Sequence, residues 1–167
     1  LKDALGNVKV IAEDLGFLTD GVRRLLYDSG FPGMKVIQFA FDSREESDYL
    51  PHNYEKNCVV YTGTHDNDTL CGWYKVLDPD DLKLSQKYMN NANTPKRQIH
   101  WDFIRLALAS VADLCIIPLQ DYLGLGSEAR INTPSTLGNN WRWRMTQGCL
   151  TKELAEQIRE LTTLYGR

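Results

Sequence analysis

The chain lacks most of the features that would assign it quickly. Its four cysteines, at 58, 71, 115 and 149, form no C-x-x-C pair, which argues against a zinc ribbon or a redox motif. No apolar run comes near the ~18 residues that a membrane span needs, so no membrane association is expected. No basic n-region followed by an apolar h-region opens the chain, as a signal peptide would require. Lys and Arg number 19 against 22 Asp and Glu. The basic residues form no stripe, so nucleic acid is not expected as a partner. There is no G-x-S-x-G elbow, no G-x-G-x-x-G turn and no Walker A run; "GLGSEAR" is too short and has no lysine. Cys58 and Cys115 fall in strand-like apolar runs, where cysteine behaves as a small hydrophobe. Reduced thiols of a cytoplasmic protein are the simplest reading.

What is present is a chain of 167 residues, 43% of them apolar, enough for one ordinary domain or part of a larger one. It opens "LKDALGNVKV" without a methionine, like the end of a helix running into a strand, and the expectation is that a preceding element is missing. Four apolar runs read as strands: Val8 to Ala12, Met34 to Phe41, Cys58 to Thr62 and Leu114 to Leu119. The first and the last two are nearly continuous in apolar residues, as parallel strands buried on both faces are. Thr19 predicts an N-cap, Val22, Leu25 and Leu26 a helical stripe, and Gly30 with Pro32 its end. Further helices are predicted from Asp80 to Asn90, from Lys96 to Ala112, and from Lys152 onward, the last with a polar back and an outside position. Phe41 to Asn57 reads as a loop with one short helical turn. The order predicts an α/β fold with parallel strands, either a small doubly wound sheet or half of a (β/α)8 barrel. Polar residues follow successive strand ends, where barrels place their chemistry, and this favours the barrel.

Each strand end carries candidates. In "VKVIAEDLG", Glu13 and Asp14 either solvate the strand end or supply a general acid, with Ile11, Leu15 and Phe17 as an apolar shell for Glu13. In "MKVIQFAFD", Gln38 and Asp42 alternate with Phe39 and Phe41, giving either a strand with one wet face or a ring-stacking platform. In "VVYTGTHDNDT", Gly63 permits a turn and His65 and Asp66 come next. Asp66, Asn67 and Asp68 are oxygen ligands, but the stretch has no EF-hand spacing or closing glutamate, and no metal is expected. Asp68 suits an Asx turn with Thr69 as N-cap, which leaves His65 and Asp66 unexplained. After the last strand, Gly124 and Gly126 break the pattern, and Arg130, Asn132 and Thr133 stand in a long loop. Trp141 and Trp143 alternate with Arg142 and Arg144, and core tryptophans with surface arginines are the expected arrangement.

The stretches "IAEDLG", "PGMKVIQFAF", "LPHNY", "VVYTGTHDNDT", "GSEARIN" and "NWRWR" together resemble the C-terminal half of the catalytic barrel of 4-α-glucanotransferases, the amylomaltase or disproportionating-enzyme family, glycoside hydrolase family 77. The resemblance spans the whole chain. It implies residues 1–167 as a partial (β/α)8 catalytic domain, about strands five to eight of a TIM barrel. It also implies retaining transfer of α-1,4-glucan segments to a glucan or glucose acceptor, without a cofactor. Glu13 matches the acid/base and Asp66 the carboxylate that stabilises the transition state. His65 matches a sugar-binding histidine and Phe39 a residue lining the donor side of the substrate site, and Asn132 lies in a loop that resembles a substrate-contacting one. The partners implied are maltooligosaccharides, starch or glycogen, together with the missing N-terminal half of the enzyme. In the family the nucleophilic aspartate comes after an earlier strand, so the resemblance implies that this chain lacks it and is inactive alone. The alternatives are part of a related α-glucan hydrolase of the amylase superfamily, or an inactive sugar-binding truncated barrel.

Overall fold

The computed structural model describes residues 2–6, 8–16 and 18–167. The elements are helices α1 (Lys2–Leu5) and α2 (Asp20–Ser29), strands β1 (Gly33–Val36) and β2 (Cys58–Tyr61), helices α3 (Leu70–Val76), α4 (Pro79–Met89) and α5 (Ile99–Leu108), strand β3 (Leu114–Ile116), and helices α6 (Leu119–Tyr122) and α7 (Lys152–Leu164). The three strands form a parallel sheet in the order β1-β2-β3. The α/β prediction with parallel strands therefore holds.

Register sets where the strands end. Val36 pairs with Tyr61, and Tyr61 with Ile116. The three strands thus stop at one level, and the segments after them emerge side by side. Val59 and Val60 of the central strand are completely or almost completely buried. The core continues through Ile37, Phe41, Leu70, Phe103 and Ile104. Phe103 is its hub, edge-on to Trp73 at 5.2 Å, Tyr74 at 5.8 Å and Phe41 at 5.9 Å between ring centroids. Such pairs add about 0.5–1.5 kcal/mol each beyond area burial.

Capping matches the residue types. Thr19, Thr69, Asp78 and Thr151 each accept a backbone N–H at a helix start, as short polar side chains at N-caps do. Gly30 ends α2 in the left-handed region at φ 65°. Of α7 only Leu161 is buried, which gives the predicted outside helix. The loop before β2 carries one 3-10 turn, Pro51–Asn53.

Four expectations are corrected. Residues 8–12 form no strand; among the described residues this segment makes a single backbone bond to its neighbour, Ala12 N–H to Pro32 O at 2.9 Å, too few to build a ladder. The run from Met34 leaves the sheet after Val36 and coils into a 3-10 turn, Ile37–Phe39. β3 is an edge strand rather than a doubly buried one, with Leu114 47% and Ile116 38% exposed, because only β2 pairs with it among the described residues. The predicted helix from Lys96 divides into a 3-10 turn, Lys96–Gln98, and α5. The short helices α3 and α6 are additions that the sequence pattern does not predict. At seven and four residues they have too few turns for a periodic stripe.

Candidate active site

A cleft of about 1600 Å³ opens at the C-terminal ends of the strands, lined by Glu13, Gln38, Phe39, Tyr61, His65 and Asp66 among others. Four of the five predicted site residues thus share one cleft. Asn132 is not on its wall; it stands behind Asp66.

The loop between β2 and α3 carries the densest chemistry. Asp66 Oδ1 accepts a hydrogen bond from Asn132 Nδ2 at 2.6 Å, and His65 Nε2 lies 3.4 Å from the same oxygen. Asp66 Oδ2 has no protein partner among the described residues. One carboxylate oxygen is therefore held, and the other is available to a donor in the cleft. The backbone is held too. Arg130 Nη2 donates to Asp66 O at 2.6 Å, its Nε to Asn132 O at 2.9 Å, and Asn132 N–H to His65 O at 3.1 Å. Two residues of the loop after α6 thus clamp two residues of the loop after β2. The other candidate oxygen ligands are used by protein donors: Asn67 Oδ1 by the Thr64 amide and hydroxyl, Asp68 by the Thr69 amide and the Ser127 hydroxyl.

Glu13 and Asp14 divide the two roles between them. Asp14 Oδ1 accepts the Met34 N–H at 2.6 Å, so it satisfies the free edge of β1. Gly33 leaves room for this contact, since a Cβ there would sit 2.6 Å from Asp14 Oδ2. Glu13 faces the cleft with no hydrogen-bond partner among the described residues. Its charge reaches Tyr61, whose hydroxyl is raised above its ordinary pKa first by burial and then by Glu13. The apolar shell expected around Glu13 is not what the structure holds: Glu13 is exposed and Ile11 is 40% exposed. Phe17 lies outside the described residues.

Phe39 is 41% exposed on the cleft wall, edge-on to Tyr49 at 5.5 Å. Gln38 turns inward, 7% exposed, and its Nε2 donates to Asp68 O at 2.7 Å. Gly63 makes room for it, since a Cβ there would come within 2.6 Å of Gln38 Nε2. Asp42 instead pairs with Arg44 at 2.6 Å, and the guanidinium holds its carboxyl down at about 2.

The tryptophans correct another expectation. Trp141 is no core residue: it is 57% exposed, at φ 63°, and its ring lies 5.1 Å from that of His65. Its N–H bonds Ile131 O at 2.7 Å, which carries the loop back over His65. Alternation in "NWRWR" predicts two faces but not which face meets the cleft. Arg130 is legible in sequence only as a donor in a loop. Asp121 of α6 is absent from the predicted residues altogether, although a lone acid inside "IIPLQDYLGL" is a signal that it needs partners.

Carboxylates and aromatic rings thus line one cleft at the C-terminal ends of a parallel sheet, where open and closed α/β sheets place their ligand sites. The chain belongs to the 4-alpha-glucanotransferase family, glycoside hydrolase family 77, whose family model matches residues 1–151. It is 48% identical to the 4-alpha-glucanotransferase of Clostridium butyricum, covering all of this chain and 34% of that protein. It is 45% identical to the chloroplastic/amyloplastic enzyme of Arabidopsis thaliana, covering all of this chain and 29% of that one. The structure superposes on amylomaltase from Streptococcus agalactiae in complex with acarbose with a TM-score of 0.92 and 38% identity, over 99% of this chain and 33% of the other. Amylomaltase from Corynebacterium glutamicum, at 15% identity and a TM-score of 0.69 over 92% of this chain and 28% of the other, shares the fold. The chain spans about a third of the length of the relatives it matches.

Proposed function

We propose that the protein carrying this chain is a 4-α-glucanotransferase that moves α-1,4-glucan segments between maltooligosaccharides, starch or glycogen by a retaining mechanism. The observation that carries this is the shared cleft: it is lined by Glu13 and by an Asp66 carboxylate that has one oxygen held by Asn132 and the other without a partner among the described residues.

In this reading Glu13 protonates the glycosidic oxygen of the departing segment and later takes the proton of the acceptor hydroxyl. Asp66 Oδ2 accepts sugar hydroxyls of the reacting ring, and that bond strengthens as positive charge develops. His65, steadied by the Trp141 ring, and the exposed face of Phe39 bind the glucan on either side. Retention requires a second carboxylate about 5–5.5 Å from the acid. No residue of this chain is assigned that role. It belongs to the remainder of the enzyme, and the 167 residues alone are expected not to turn over. The strands are proposed as part of a (β/α)8 barrel, with residues 8–12 and β1 to β3 in the places of strands five to eight. The parallel order and the level strand ends support this. A reducing, cytoplasmic location completes the proposal, on the ground that all four cysteines are free.

Incubation of the enzyme with maltotriose tests it. Glucose together with longer oligomers is the expected result; glucose and maltose alone would assign a hydrolase.

A further inference from the structure

Asp121 lies in α6, outside the cleft, and is 2% exposed. Its Oδ2 accepts the Thr62 hydroxyl at 2.6 Å and its Oδ1 the Leu70 N–H at 2.8 Å. Thr62 is the first residue after β2 and Leu70 the first of α3, and both are fully buried. One carboxylate thus joins the two ends of the loop that bears His65 and Asp66. Beneath the same loop, Asp68 Oδ2 takes the Ser127 hydroxyl at 2.6 Å. Gly72 leaves room for that contact, since a Cβ there would come within 2.4 Å of Ser127 Oγ.

A buried carboxylate is costly. Burial pushes Asp121 up to about 6, with the charge of Asp68 adding to it, against the pull of the Leu70 amide and Thr62 hydroxyl. Cys71, the other ionisable neighbour, is itself raised by burial and then by Asp121; its Sγ lies 3.8 Å from the His100 ring, and His100 is lowered by its own burial. Apolar residues would fill the same space at less cost. What they would not do is hold the ends of a polar loop in one geometry. We infer that Asp121 is a positioning residue, a buried clasp that fixes the loop from 62 to 70 so that His65 and Asp66 meet the substrate in one arrangement. The functional half of this inference rests on the proposed sugar-holding roles of those two residues; the structural half does not.

The test is amide hydrogen exchange of the enzyme and of its Asp121→Asn and Thr62→Val variants, measured peptide by peptide. Asparagine cannot accept both donors, and valine removes one of them. Exchange across residues 63–70 is expected to rise roughly tenfold in each variant, the loss of one buried hydrogen bond, while β2 and α5 stay protected. Thr62→Ser, which restores the hydroxyl, should return the loop to its original rate. In maltotriose turnover, kcat should fall more than KM changes. Unchanged exchange in the loop would overturn the clasp. So would an equal rise over the whole chain in both variants, which would make Asp121 a packing residue. If the loop loosens but the enzyme shows no transfer activity even unmutated, the clasp stands and the proposed function fails.

Discussion

Asn132 donates its side-chain N–H to Asp66 Oδ1 at 2.6 Å, across 66 positions of sequence. A bond to an ionised acceptor is worth about 1.5–3 kcal/mol. Asn132→Ala should therefore lower kcat/KM on maltotriose by about 10- to 100-fold. Asn132→Asp should lower it further, because it sets a second negative charge against Asp66. An aspartate variant that matches the original enzyme would show that Asp66 is held by other means.

Glu13→Gln keeps the side chain's shape and removes its proton. General acid catalysis contributes about 10²–10⁴-fold, so kcat on maltotriose should fall by that range with KM changed little. A donor with a leaving group that needs no proton, α-maltosyl fluoride, should recover much of the first step. Equal loss on both donors would assign Glu13 to binding instead.

Asp66→Asn retains one acceptor oxygen but loses the charge. Because its contact is expected to strengthen as the ring becomes cationic, kcat should fall more steeply than substrate affinity. Unchanged kcat with a raised KM would make Asp66 a ground-state binder only.

Trp141 sits at φ 63° and is 57% exposed. Truncating a core tryptophan costs about 3–5 kcal/mol. Here Trp141→Gly should cost far less, about 1 kcal/mol or below, since glycine relieves the left-handed backbone. KM for long oligosaccharides should rise several-fold, because His65 loses the ring beside it, and Trp141→Phe should restore most of the affinity. Urea denaturation and oligosaccharide kinetics on the same two variants check both halves. A stability loss of core size would return Trp141 to the core.

Asp121 makes stability depend on pH. Its pKa is raised from 3.8 to about 6, so the native state holds its proton longer than the unfolded chain does. Its contribution is fully present below 3.8 and is lost as pH rises through about 6. The stability of the original protein relative to Asp121→Asn should fall by up to roughly 3 kcal/mol between about pH 4 and pH 7. Asp42, held down at about 2 by Arg44, acts in the opposite sense and only below that window. Urea midpoints of both proteins across this range decide it, and parallel curves would show that Asp121 titrates normally.

The sequence by itself determined the elements with strong local physics. Thr19, Thr69 and Thr151 cap helices because a hydroxyl in that position captures a free amide wherever the rest of the chain lies. The apolar run at Cys58 makes the central strand, and the polar residues after it must then surface at a strand end. His65 and Asp66 were legible for that reason, whereas Glu13 follows an apolar run that forms no strand and Phe39 sits in a 3-10 turn; the roles expected of all four come from the family resemblance. Tertiary structure decided everything that depends on distant partners. Glu13 and Asp14 are neighbours of like charge, and only the edge of β1 separates the one that bonds Met34 from the one that faces the cleft. Val8 to Ala12 and Leu114 to Ile116 are equally apolar in sequence, yet neither is enclosed, because burial is set by what packs alongside. Trp141 reads as core by its size and lies outside because Ile131 turns its backbone over His65. For Asp121 the separation is greatest: its value lies in joining Thr62 to Leu70, and no local pattern encodes a contact made from more than fifty residues away.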